Sequence, residues 1–210
     1  FIIEEDRMRR PCLLVLAALL LTSAASGGEV MTVERFVSMT RCSDPQISPD
    51  GRNILMTVSV PDLDKNGNDT HVWIAPIRGG APRRFIAGQG SDFHPRWSPG
   101  GEKIAFVSTR SGSPQIWIIP AGGGEAERLT GISTGAHDPV WSPDGSKLAF
   151  YSFVYPDCPG DSCNAARDKE RRDSPVKARV IDHLLYRHWD TWKDGKRNHL
   201  FIVDVNTGET

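Results

Sequence analysis

Residues 141–145 read Trp-Ser-Pro-Asp-Gly (WSPDG), residues 97–101 read WSPGG, and residues 47–51 read ISPDG. Ser48, Ser98 and Ser142 stand 50 and 44 residues apart, each with a proline three residues earlier: Pro45, Pro95 and Pro139. Each phrase runs into an apolar segment: NILMTVS, KIAFVS or KLAFYS. In KIAFVS, Ile104 and Phe106 fall on one face and Ala105 and Val107 on the other, which is strand periodicity. Pro presets its own φ, Asp can bond neighbouring amides and Gly accepts a positive φ, so each phrase predicts a tight turn between antiparallel strands.

A second phrase recurs. HVWIAPIRGGAPRRFI (71–86) aligns with QIWIIPAGGGEAERLT (115–130), and HLFIVDVNTGET starts a third copy at His199. Each reads as strand, glycine-rich turn, short strand. One unit is thus four strands in about 45 residues, the signature of a propeller blade. The sequence predicts an all-β fold, a β-propeller of four-stranded antiparallel blades, incomplete: two blades and an interrupted third. The blades fall near 33–87, 91–131 and 135–210, with an insertion at about 156–197. Within it, the charged run NAARDKERRDSP (164–175) reads as a solvated excursion, while the aromatic half argues against plain disorder. Insertions this long in an economical fold tend to be functional or disordered.

Upstream of the repeats, Met8-Arg9-Arg10 precedes the apolar run CLLVLAALLL (12–21) and the small residues TSAASGG. This is the pattern of upstream residues and a signal peptide over 1–27, with cleavage after Ala25 or Gly27, and it predicts export to the periplasm or beyond. The apolar run is too short for a permanent membrane span. With 39% hydrophobic residues and a net charge of −1, the chain carries no electrostatic footprint for nucleic acid.

Export gives the cysteines meaning. Cys158 and Cys163, in CPGDSC, are spaced to close a small disulfide loop. Zinc is the rival, but no partner CxxC or HxxxH lies nearby. Cys42 is left unpaired. No metal or cofactor is expected.

The segment HPRWSPGGEKIAFVSTRSGSPQIWIIPAGGGEAERLT resembles the blade repeat of TolB-like propellers and of the propeller domains of the prolyl oligopeptidase family. LLYRHWDTWKDGKRNHLFIVD (184–204) resembles a stretch of bacterial dipeptidyl-peptidase and acylaminoacyl-peptidase members of that family. The resemblance implies a serine peptidase whose propeller precedes an α/β-hydrolase domain carrying Ser, Asp and His. It implies, too, a propeller that restricts access to short peptides and helps bind their N-terminal end. The sequence ends before any such domain, so no catalytic residue is assigned in this chain. A non-enzymatic periplasmic propeller acting as a binding scaffold is the alternative.

Three motifs invite chemistry. GISTG (131–135) matches the G-x-S-x-G nucleophile elbow, which needs a strand before its Ser and a helix after it. Pro139 and a further strand follow Ser133, so an inter-blade loop is expected. DLDKNGND (62–69) begins like a calcium loop but has Trp73 where the twelfth-position Glu belongs, which favours a turn. His94 and His137 both precede a repeated Trp and read as structural. Arg187, His188 and Asp190 are the candidate substrate-binding residues. Among Trp189 and Trp192, a carboxylate could hold a peptide α-ammonium and an Arg a carbonyl or carboxylate. A salt bridge among packed tryptophans is the competing reading.

Overall fold

The computed structural model describes residues 30–182, 184, 187–189, 191–192 and 194–210. The signal-like stretch over 1–27 and the candidate Asp190 lie outside the described residues. The chain divides into two compact units, residues 1–37 and 38–210. In the first, α1 (Val33–Val37) is a single short helix, and the Arg35 amide donates to Thr32 Oγ1 at 3.2 Å.

The second unit holds the repeats. β1 (Arg41–Ile47), β2 (Asn53–Asp62), β3 (Gly67–Pro76) and β4 (Arg83–Arg84) form one antiparallel four-stranded sheet. β5 (Asp92–Trp97), β6 (Lys103–Ser108), β7 (Gln115–Pro120) and β8 (Glu127–Arg128) form a second with the same order. The third sheet comprises β9 (His137–Trp141), β10 (Lys147–Val154) and, after an excursion, β13 (Arg197–Asp204), in the order β13-β10-β9. The excursion carries α2 (Asp161–Asp173) and a hairpin of β11 (Arg187–His188) and β12 (Thr191–Trp192). The expected architecture of four-stranded blades with an interrupted third is therefore present. Helix α2 is the difference: the run read as a solvated excursion is helical, because Ala165, Ala166, Arg167, Lys169 and Glu170 are all strong helix formers.

The repeated phrase builds the same turn three times. The amides of Gly51, Gly101 and Gly145 donate to the carbonyls of Ser48, Ser98 and Ser142 at 2.8, 2.9 and 2.9 Å. These glycines have φ of 68°, 81° and 71°, the left-handed region that a side chain disfavours. Each serine Oγ accepts the amide that opens the following strand, from Asn53, Lys103 and Lys147, at 2.9, 3.0 and 2.9 Å. The serine side chain thus satisfies a backbone donor that the turn would otherwise strand.

Asp144 shows how tightly the turn is tied. It accepts from Ser142 Oγ at 2.6 Å and from the Ser146 amide and hydroxyl at 3.1 and 2.8 Å. Those bonds, Ser142 foremost, hold its pKa at about 2. A carboxylate whose folded pKa is depressed adds stability above the unfolded value, near 3.8, and loses it as pH falls through about 2. Carbon-detected NMR should therefore titrate the Asp144 carboxyl near 2. A midpoint at the ordinary aspartate value would refute the turn as described.

The sheets stack through two apolar seams. Leu55, Val72, Ile74, Phe85 and Ile86 of the first repeat meet Ile104, Phe106 and Ile119 of the second. On the opposite face of the second sheet, Ala105 and Ile116 meet Leu148, Phe150 and Val203 of the third. The alternation in KIAFVS thus serves two neighbours at once, and all of Ile104–Val107 is fully buried.

Candidate functional site

The edge strands β1, β5 and β9 share one irregularity. In each, an extra residue bulges between Ser43 and Gln46, between Phe93 and Arg96, and between His137 and Val140, opposite a regular partner strand. Asp44, His94 and Asp138, each just before the repeated proline, have φ of 51°, 52° and 49°. Asp and His are among the side chains that tolerate this region best. The two histidines are therefore not equivalent: His94 matches Asp138, and His137 matches Phe93.

Side chains at and beside these bulges link neighbouring sheets. Arg96 Nη1 donates to Asp44 Oδ2 at 2.6 Å, and His94 Nδ1 lies against the Asp138 carboxylate. His137 stacks on Tyr151 with centroids 5.3 Å apart. Burial holds the His137 pKa below the usual histidine value, opposed by Asp138 and reinforced by His94. Each repeated Trp also reaches across a seam. Trp97 Nε1 donates to the Gln46 carbonyl at 3.2 Å, and Trp141 Nε1 donates to the Arg96 carbonyl at 3.0 Å.

A second polar cluster ties the first seam. Asp92, fully buried, accepts from Ser108 Oγ at 2.7 Å and from Arg110 Nη2 at 2.8 Å, and faces His71 Nδ1 at 3.3 Å. The Arg110 guanidinium lies over Trp117, 5.0 Å from the ring centroid. Ser, Asp and His meet here, but the carboxylate sits between the other two. A nucleophilic triad needs the imidazole next to the hydroxyl, to take its proton. This cluster is a structural lock.

Ser133 is no elbow nucleophile either. It lies in the loop between β8 and β9, and a strand follows it. Its Oγ donates to Asp161 Oδ1 at 2.7 Å and its amide to the same atom at 2.9 Å. The loop thereby anchors the first residue of α2. DLDKNGND forms the β2–β3 hairpin, in which Asp62 accepts the Lys65 amide at 3.0 Å and pairs with Lys65 Nζ at 2.6 Å.

The insertion is fastened at its root. Cys158 and Cys163 are bonded across the start of α2, with Cα atoms 5.4 Å apart. Asn164, 3% exposed, accepts the Tyr155 amide at 2.8 Å and donates to the Gly160 carbonyl at 3.0 Å. Tyr155 OH donates to Asp168 Oδ1 at 3.1 Å, and Lys196 Nζ donates to Asp168 Oδ2 at 2.6 Å. Arg167 grips Asp157 with both terminal nitrogens, at 2.6 and 2.5 Å, beneath an open groove of about 770 Å³. Arg171 and Arg179 converge on Asp194, and Arg171 and Asp194 line the same groove. Burial pushes the Asp194 carboxyl up, but the hydrogen bonds of the two guanidiniums bring it below the usual aspartate value. Of these pairs, Arg171–Asp194 ties the chain after the hairpin to α2. Among the described residues, no group of three His, Cys, Asp or Glu is placed to hold a metal ion. In the purified protein, alkylation without reductant should leave Cys158 and Cys163 unlabelled and modify exposed Cys42. Labelling of both would contradict the bridge.

Of the candidate binding residues, Arg187 and His188 sit side by side on β11, exposed, and Arg187 pairs with Trp192 across the hairpin. The Arg187 guanidinium lies 6.0 Å from the Trp192 ring centroid and that of Arg179 lies 4.4 Å from it. Trp189 is 85% exposed beside the turn, with φ of 52°. The hairpin thus presents a cation, an imidazole and an indole to solvent. The anchors Asp168, Arg171, Arg179 and Asp194 escaped the sequence reading, because ion pairs between residues 15 to 28 apart leave no local pattern.

Residues 18–155 match the TolB beta propeller domain family, a match that ends at Tyr155, where the insertion departs. The chain is 32% identical over 194 residues to Dipeptidyl-peptidase 5 of Porphyromonas gingivalis, covering 91% of this chain and 27% of that protein. Dipeptidyl-peptidase 5 of Porphyromonas endodontalis is 26% identical over 184 residues, with 88% and 26% covered. The chain therefore spans about a quarter of the length of these relatives. Among solved structures, Pyrococcus horikoshii acylaminoacyl peptidase superposes with a TM-score of 0.58 at 18% identity, over 83% of this chain and 24% of that one. That likeness concerns the fold. No helix among the described residues is long and apolar enough to cross a membrane. With more than half its length matched and three copies of the same blade turn, the chain belongs to the TolB beta propeller domain family.

Proposed function

We propose that this chain is the propeller part of an exported serine peptidase of the prolyl oligopeptidase family that cleaves short peptides, as a dipeptidyl- or acylaminoacyl-peptidase does. In this reading the propeller gates access and helps hold the peptide N-terminus. The carrying observation is the insertion. The propeller family match stops where it starts, yet the similarity to Dipeptidyl-peptidase 5 covers 91% of the chain and so runs through it. In such an enzyme a Ser attacks the peptide carbonyl, a His takes its proton and an Asp orients the His. Those groups are proposed to lie outside these 210 residues, since Ser133 and the Asp92 cluster have the wrong surroundings. Asp190 would hold the α-ammonium and Arg187, on the hairpin with His188, a carbonyl or carboxylate.

The test uses the longer protein that contains this segment. Arg187→Ala and Asp190→Asn should each raise KM for peptides with a free N-terminus by about tenfold, the loss of one charge-assisted contact, with kcat little changed. Unchanged KM in both would remove the hairpin from substrate binding. A non-enzymatic scaffold is the second reading, favoured by the family match alone.

A further inference from the structure

We infer that Cys158–Cys163 is a thiol–disulfide exchange site for a dithiol reductant, and that its reduction releases helix α2 from the third sheet while the sheets stay folded. The bridge lies where a reductant can reach it. Both cysteines are partly exposed and the residues between them, 159–162, are all exposed, so no residue of either apolar seam has to move.

Helix α2 depends on that bond because little else holds its start. Gly160 stands at the N-cap and has no side chain to accept a first-turn amide. Asn164 is the one buried residue of the helix, so burial of apolar side chains does not hold it to the sheets. A helix of 13 residues is marginal on its own in water. The bridge ties the first turn, at Cys163, to Cys158, whose amide donates to the Tyr155 carbonyl at 3.0 Å just after β10. Two polar anchors sit in that same stretch: Asp161 accepts from the Ser133 hydroxyl and amide, and Asn164 accepts the Tyr155 amide. Once the bridge opens, the first turn is free to fray and both anchors go with it. The chain after the hairpin rides on the helix, through Arg171–Asp194 and Lys196–Asp168.

The exchange runs in two steps. A thiolate of the dithiol attacks Cys158 Sγ, the bridge breaks, and Cys163 leaves as a thiolate whose charge the first-turn amides of α2 favour. The second sulfur of the dithiol then attacks the first within the mixed disulfide and expels Cys158. Two electrons and two protons pass to the cysteines, and the dithiol ends as a disulfide. This inference stands apart from the peptidase reading, since its test reads alkylation and exchange alone.

The longer protein is treated with dithiothreitol without denaturant, alkylated for peptide mapping, and in parallel followed by hydrogen exchange. Cys158 and Cys163 should both become labelled. The amides of α2 should exchange at least about tenfold faster than in the oxidised protein, since closing so short a ring removes an entropy worth that much. Exchange in β6 and β7 should stay unchanged, and reoxidation should restore α2. A double variant, Cys158→Ser with Cys163→Ser, should show the fast exchange from the start and ignore the reductant. Should that variant not fold, the reduced and reoxidised forms of the unaltered protein carry the test. A bridge that stays closed in the folded protein, or α2 exchange unchanged after reduction, would overturn the inference. So would equal acceleration in β6 and β7, since the bridge would then staple the whole fold.

Discussion

Asp92→Ala is expected to destabilise the protein by about 3 kcal/mol, because it removes a fully buried carboxylate and leaves a largely buried guanidinium without its partner. Asp92 is fully buried, and the Arg110 side chain that it holds is only 18% exposed. Two further bonds converge on the same carboxylate, from Ser108 and His71, so one substitution disarms three partners. His71 belongs to the first sheet and Asp92 to the second, so the cluster also spans that seam, alongside Arg96–Asp44. Ser108→Ala is the control: it removes one donor and should cost only about 1 kcal/mol. Urea denaturation of both variants decides the matter. A loss below about 1 kcal/mol for Asp92→Ala would mean that water reaches Arg110 readily and that the cluster ties nothing.

Phe150→Ala tests the other seam and should cost about 3–5 kcal/mol. The ring is 1% exposed, lies in the cluster with Ala105 and Ile116, and stacks on Phe201 at 5.6 Å. Truncation leaves a void between two sheets that the disposition of the strands cannot close. Phe150→Leu keeps most of the volume and should cost less than about 1.5 kcal/mol. If the two substitutions proved equally mild, the third sheet would not be packed on the second as described.

What the sequence made legible was whatever repeats locally. The turns needed only Ser, Pro and Gly in a fixed order, and Ser48, Ser98 and Ser142 behave alike in all three. Strand faces were legible because KIAFVS alternates. The role of Trp97 and Trp141 was hidden, since their acceptors lie 51 and 45 residues earlier and are backbone atoms without sequence identity. The bulges left a readable trace, Asp-Pro or His-Pro two residues before Ile47, Trp97 or Trp141, but His94 was aligned with His137 instead of with Asp138. Helix α2 was obscured by its charge: the run has almost no apolar face, and Asn164 is its one buried residue. Its position comes from polar anchors, Asn164, Asp161 and Asp168, which a hydrophobic pattern does not report. The hairpin around Arg187 and His188 was flagged by its aromatics, and its exposure suits a contact surface better than a core.

Product analysis decides whether this propeller serves, as proposed, a serine peptidase acting on short peptides. The longer protein is incubated with unblocked peptides of increasing length, and the products are identified by mass spectrometry alongside labelling with a serine-directed fluorophosphonate. Release of short N-terminal fragments from small peptides, sharply less from long ones, and a labelled serine outside residues 30–210 are expected. Intact peptides and no labelled serine, in a folded protein, would contradict the proposal and leave the scaffold reading in its place.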